Sequence, residues 1–185
     1  MVKDILKQAD EKMSKAVEVV RQELVRIRTG KATTALLDGI KIDYYGTMTP
    51  LSQVGNVSVA DVHTLTVQPW DKSVIDPVVK AILAANLGLN PAPDGEIIRV
   101  PIPPLNEERR RELVKLSKKF GEDGKIAVRN VRRDAIEHLK KAEKGEHLSK
   151  DEVKRAEGEA QKLTDQHIAS IDQLLSMKEK EIMEV

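Results

Sequence analysis

Residues 103–143 read PPLNEERRRELVKLSKKFGEDGKIAVRNVRRDAIEHLKKAE, and this stretch decides the fold. Pro103 and Pro104 block a helix from starting earlier. Asn106 is a good N-cap, and Glu107 and Glu108 suit the positive end of the helix dipole. Apolar residues then recur at Leu113, Leu116, Phe120, Ala127, Val131, Ala135, Leu139 and Ala142, spacings that draw one stripe along a helix. At 1.5 Å per residue, a helix from about 106 to 143 is roughly 55 Å long, far beyond the common helix of about 11 to 12 residues. A helix of that length cannot bury its stripe alone, so the stretch predicts partner helices elsewhere in the chain.

Two partners are readable. Ser149 with Glu152 makes a capping box, opening a helix whose stripe runs Val153, Ala156, Ala160, Leu163, His167, Ile171, Leu174 and Ile182. A short turn around Lys144, Gly145 and Glu146 makes this helix the antiparallel neighbour of the first. The N-terminal segment supplies the other stripe, Ile5, Ala9, Met13, Ala16, Val20, Leu24 and Ile27, with Gly30 as its stop. Gly121 and Gly124 read as a locally weakened or bent stretch, since each helical glycine costs about 1 kcal/mol relative to alanine.

Between these helices the pattern changes. Residues 31–104 hold both tyrosines, the only tryptophan and all eight prolines. Residues 40–44, 57–59 and 64–67 alternate at period two, as half-buried strands do, and Asp94-Gly95 turns into a further strand over 96–100. Asp71 caps a helix from about Ser73 to Leu87, with Pro77 tolerable near its first turn. The expected fold class is therefore α+β in two domains. An elongated antiparallel three-helix bundle occupies 1–29 and 105–185, and a small mixed domain is inserted at 31–103. The chain crosses between them twice, near 29–31 and 101–105. Two crossings make a hinge, with Gly30 permissive and the proline-rich return stiff.

The 185 residues include no cysteine, which excludes disulfides and thiolate metal sites and suits a reducing cytosol. No apolar run approaches the roughly 20 residues needed to span a bilayer, and the charged N-terminus is unlike a signal peptide, so a soluble protein is expected. The net charge of +1 hides a segregation. Residues 107–133 carry ten basic and five acidic groups, whereas 149–185 carry six and nine. Local field rather than net charge attracts polyanions.

No nucleophile with a base, paired-carboxylate cleft or metal cluster stands out. His63, His138, His147 and His167 lack any ligand spacing, and the glycine-glycine-lysine run at 121–125 lacks the P-loop pattern. The informative cluster is Lys125, Arg129, Arg132 and Arg133, which share a helix face through their spacings of three and four. Arginine's planar fork suits phosphate oxygens. This strip reads either as an RNA-backbone contact or as a solvated face paired with the acidic third helix. With one Phe120 on the bundle, base stacking is disfavoured against backbone and shape contacts to folded RNA.

Several motifs carry a resemblance. Residues 26–32 (RIRTGKA), 44–46 (YYG), 49–51 (TPL), 69–72 (PWDK) and 87–91 (LGLNP) resemble those of the ribosome recycling factor family. So do residues 103–105 (PPL), 107–111 (EERRR), 128–135 (VRNVRRDA) and 161–165 (QKLTD), across essentially the whole chain. His63, Lys31 and Ile136 depart from the family's usual residues. The resemblance implies an L-shaped molecule whose small β/α/β domain sits on a hinge, placed at Thr29, Gly30, Lys31, Pro103, Pro104 and Leu105. It implies a cytoplasmic monomer without catalytic residue, metal or cofactor. The bundle would lie against large-subunit rRNA of the 70S ribosome, with Arg129, Arg132 and Arg133, beside Lys125, at the RNA. Elongation factor G, hydrolysing GTP, would drive the hinged domain so that the subunits part. A helical adaptor or chaperone presenting an apolar groove is the alternative, and a hydrolase in the mixed domain ranks last because the catalytic checklist finds no member.

Overall fold

The computed structural model describes residues 1–146 and 148–184. The chain divides into two compact units, Met1–Arg28 with Glu107–Glu184, and Thr29–Asn106.

The first unit is three helices, α1 (Val2–Val25), α3 (Glu107–Glu146) and α4 (Lys150–Met183), each packed on the other two. Partner numbers on α4 fall as those on α3 rise, from Lys118–Glu179 through Lys125–Asp172 to Lys140–Glu157, so these two run antiparallel. Met13, Val128, Leu139, Ile171 and Ile182 are fully buried along the seam. Residues 144–146, expected as a turn, instead continue α3. His147, expected in that turn, lies outside the described residues.

The α4 cap forms as the sequence requires. Ser149 Oγ accepts from the Glu152 amide at 3.2 Å, and Glu152 Oε2 accepts from the Ser149 amide at 2.9 Å. That amide, followed by the Ser149 hydroxyl, holds the Glu152 carboxyl below its ordinary value. Lowered in the folded state, it adds stability above about pH 4.5 that disappears as pH falls through its folded value. Ser149→Ala should therefore cost about 1 kcal/mol in urea unfolding at neutral pH, and the gap to the parent should narrow in acid. A pH-independent gap would contradict the reciprocal cap.

Two details of the stripes differ from expectation. In α1 Leu6 and Val17 are buried beside Ala9, Met13, Val20 and Leu24, with the expected Ile5 and Ala16 only half-buried. The helix also ends at Val25, before Gly30. Its last turn tightens, with the Ile27 amide bonding to Leu24 O at 3.2 Å, which satisfies a terminal carbonyl without glycine. In α3 the buried seam passes through Ser117, Gly121, Gly124 and Val128, leaving Leu116 exposed and Phe120 half-buried.

The glycines are not a break. Helix α3 is continuous across them. A Cβ on Gly121 would stand 2.3 Å from Leu175 Cδ1 of α4, and one on Gly124 2.2 Å from Val20 Cγ2 of α1. Both are places where neighbouring helices come within contact of the α3 backbone.

The second unit holds a hairpin, β1 (Lys41–Tyr44) with β2 (Thr47–Pro50), and an antiparallel sheet. The sheet comprises β3 (Gly55–Asp61), β4 (Thr64–Pro69), β5 (Ala92–Asp94) and β6 (Ile97–Pro101), in the order β3-β4-β6-β5. Helix α2 (Ile75–Ala84) follows a 3-10 turn capped by Asp71, whose Oδ1 accepts from the Ser73 amide at 2.9 Å. The Ser73 amide, then its hydroxyl and that of Tyr45, hold the Asp71 carboxyl below its ordinary range. Pro77 sits in the first turn of α2, where its missing N–H costs nothing. Ile42, Leu65, Val67, Val78, Ile82, Ile98 and Val100 form the centre of this unit's own core.

Residues at both crossings are tied to the β3–β4 turn. The Ala32 amide donates to Val62 O at 2.8 Å, and the Ile102 amide to His63 O at 2.7 Å. His63 Nδ1 lies 3.2 Å from Gly30 O, a hydrogen bond when that nitrogen carries a proton. Gly30 takes φ +76°, and a Cβ there would meet Leu105 Cγ at 3.3 Å. Its glycine identity thus answers both a left-handed backbone and a close neighbour.

Candidate nucleic-acid interface on the bundle

The positions flanking the α3–α4 seam recur every seven residues, as expected where two antiparallel helices keep one face in register. On this edge α3 presents cations and α4 mostly carboxylates. Lys125 Nζ stands 2.5 Å from Asp172 Oδ1, with only 19% of its side chain exposed. Lys118–Glu179 and Lys140–Glu157 are looser, each at 3.9 Å.

The four cations singled out by the sequence do share one flank of α3, but not one condition. Lys125 is held by a carboxylate of the third bundle helix, so for this residue the paired-face reading describes the geometry. Arg129 NH1 is 3.2 Å from Glu122 Oε1 on its own helix, with 41% of its side chain exposed, an arrangement that solvent screens strongly. Arg132 is different. Its NH1 donates to the neutral Gln161 Oε1 at 2.8 Å, and it has no ion pair among the described residues. Arg132 Nε is buried without a hydrogen-bond partner among the described residues, which places the stem of the guanidinium inside the packing. Arg133 is exposed, again with no ion pair among the described residues. The charge that an RNA backbone would feel is therefore concentrated at Arg132 and Arg133, with Arg129 partly compensated and Lys125 nearly cancelled.

Gln161 and Asp165 were not among the residues singled out from the sequence for this edge. Gln161 Nε2 donates to Asp165 Oδ1 at 2.8 Å, one helical turn along α4. The signal was present in the spacing, because glutamine and aspartate four apart on a helix commonly bond. What the spacing could not show is that the other end of the glutamine amide reaches α3.

Among the described residues, no group of three or more His, Cys, Asp or Glu could hold a metal ion. His167 Nε2 bonds Asp10 Oδ1 at 2.7 Å, joining α4 to α1, while His63 serves the β3–β4 turn. No helix is long and apolar enough to cross a membrane among the described residues.

A family model described as ribosome recycling factor matches residues 20–183. The ribosome-recycling factor of Nitratidesulfovibrio vulgaris (strain DP4) is 52% identical over 184 residues, covering 100% of this chain and 99% of that one. That of Burkholderia mallei (strain SAVP1) is 53% identical with the same coverage. A solution structure of the ribosome recycling factor superposes with TM-score 0.76 at 46% identity, covering 100% of this chain and 98% of that one. A second match, TM-score 0.64 at 45% identity and covering 99% of each chain, comes from models for the T. thermophilus ribosome recycling factor and the E. coli elongation factor G bound to the E. coli post-termination complex. With the motifs, the bundle and its inserted sheet unit all accounted for over the full length, the chain belongs to the ribosome recycling factor family.

Proposed function

We propose that the chain binds the post-termination ribosome and, with elongation factor G and GTP, promotes separation of the subunits and release of mRNA and tRNA in the cytoplasm. It acts mechanically, and GTP hydrolysis belongs to the elongation factor. The observation that carries the site is the contrast along α3: among the described residues, Arg132 and Arg133 have no carboxylate partner on an edge where neighbouring cations do. Such guanidinium groups are the ones free to exchange counterions for rRNA phosphates. Lys125, Arg129, Arg132 and Arg133 form the proposed contact, in rising order of importance from Lys125 to the last two.

The crossings at Thr29, Gly30 and Lys31 and at Pro103, Pro104 and Leu105 are proposed as the hinge through which the domain at 31–103 moves. The left-handed Gly30 and its contact with Leu105 support this by making the two crossings a matched pair within one unit.

Purified 70S ribosomes incubated with the chain, elongation factor G and GTP should yield free subunits on sedimentation, and no subunits should appear when the chain is omitted. The chain alone should hydrolyse no GTP. Ribosomes that remain intact with all components present would refute the activity. At the residue level, Lys125→Ala should cost less than about threefold in ribosome affinity, because a cation already neutralised by a carboxylate has little to lose. A loss as large as that of Arg132→Ala would show that Asp172 releases Lys125 on binding.

A further inference from the structure

Arg132 bonds a neutral amide where the pattern of the edge calls for a carboxylate partner. Counting by sevens along α3 gives Lys118, Lys125 and Arg132. The facing positions on α4 are Glu179, Asp172 and Asp165, and the first two cations pair with theirs at 3.9 and 2.5 Å. Farther along the same edge, Lys140 faces Glu157 at 3.9 Å. Arg132 is the exception, for Asp165 is present in register but does not pair with it. Gln161 stands between them. Its Oε1 accepts from Arg132 NH1 at 2.8 Å, and its Nε2 donates to Asp165 Oδ1 at 2.8 Å.

The geometry points to Gln161 as a positioning residue that insulates Arg132 from Asp165. The inference rests on the reading of Arg132 as a phosphate contact. The amide does two things at once. Its carbonyl fixes the guanidinium without neutralising it, since a neutral acceptor leaves the cation's charge in place. Its N–H occupies the carboxylate that would otherwise pair with Arg132, and that same bond sets which end of the amide faces the arginine. A carboxylate in place of the amide, directly bonded to the guanidinium, would give Arg132 the paired condition of Lys125.

The test uses full-length variants binding to 70S ribosomes over a series of salt concentrations. Gln161→Ala removes the spacer and lets Asp165 reach Arg132. Affinity should fall about fivefold to tenfold, and the slope of log K against log salt should become shallower by nearly one, as for loss of one phosphate contact. Adding Asp165→Asn to that variant removes the competing carboxylate and should restore the slope and most of the affinity. A purely structural role for Gln161 would move the unfolding midpoint but not the slope, and Asp165→Asn would not rescue it. The inference is overturned if Gln161→Ala keeps the parent's slope, or if the double variant binds no better than the single one. Gln161→Glu gives an independent arm in which the side chain keeps its length but gains charge, and it too should flatten the slope. If Arg132→Ala itself binds like the parent, the failure lies in the reading of Arg132, and the role of Gln161 falls with it.

Discussion

Arg132→Ala is expected to bind 70S ribosomes about tenfold to a hundredfold more weakly than the parent chain, with its helical content and urea midpoint nearly unchanged. The range follows from the free energy of one charge-assisted hydrogen bond, about 1.5 to 3 kcal/mol, which a guanidinium makes to a phosphate and alanine cannot. The structure of the free chain changes little because the replaced group gives up one exposed hydrogen bond to Gln161 and an Nε that has no hydrogen-bond partner among the described residues. Removing that donor even relieves a buried polar group. Loss of stem packing works the other way, so the net stability change should stay within about 1 kcal/mol. Binding should also become less sensitive to salt, by about one in the log–log slope. Parent-like affinity and slope in Arg132→Ala would remove the physical basis for placing RNA on this edge. A shallower slope in the alanine variant of Lys125 but not of Arg132 would invert the ranking drawn from the ion pairs.

The ranking itself separates what the sequence could and could not say. Spacings of three and four put Lys125, Arg129, Arg132 and Arg133 on one flank, because that depends only on helix geometry. Whether each cation stays available depends on what α4 places opposite it, and that register is a property of the packed pair. Lys125 meets Asp172, 47 positions on, while Arg132 meets Gln161, 29 positions on, and separations of that size hide the difference from any local pattern. Local devices were legible. Ser149 and Glu152 cap α4 reciprocally, and Asp71 caps the turn before α2, because each involves residues two or three apart.

The strands over 41–44, 55–61, 64–69 and 97–101 were legible from alternation and turn residues, whereas the short strands and the small-residue seam, which only tertiary contact defines, were not. Strands β2 and β5 are three or four residues long and contain Pro50 and Pro93, so neither alternation nor composition marks them. The α3 stripe was drawn through Leu116 and Phe120 because those are the apolar residues, yet the buried line runs through Ser117, Gly121 and Gly124. Ser117 is tolerated there because its Oγ donates to Val114 O at 2.8 Å, which removes the cost of burying a hydroxyl. A search for hydrophobic periodicity passes over a seam built from small residues, where burial comes from the neighbour's side chain rather than from the residue itself.

Gly124→Val should destabilise the chain by about 3 kcal/mol, the upper end of what overpacking costs, and Gly124→Ala by about 1 to 2. A Cβ at 124 would lie 2.2 Å from Val20 Cγ2 and 3.3 Å from Ile171 Cδ1, so it strikes α1 first and touches α4 as well. Val20 cannot readily swing aside, because a β-branched residue in a helix has one strongly preferred rotamer and this one is buried. Helix propensity pulls the other way. Alanine gains about 1 kcal/mol over glycine in a helix interior, so an uncrowded site would be stabilised by the substitution. The sign of the change in urea midpoint therefore decides between a weak point in a long helix and a close approach between helices. Val20→Ala placed beside Gly124→Ala should give a double variant less unstable than the two single losses combined, since the methyl that the new Cβ strikes is gone. Gly121→Ala should cost less than Gly124→Ala. Its obstacle is the end of Leu175, 2.3 Å away, and a leucine that branches beyond Cβ has more room to turn. If Gly124→Ala instead raises the midpoint and shows no coupling to Val20, α1 does not approach α3 this closely, and the glycines revert to a tolerated local weakness.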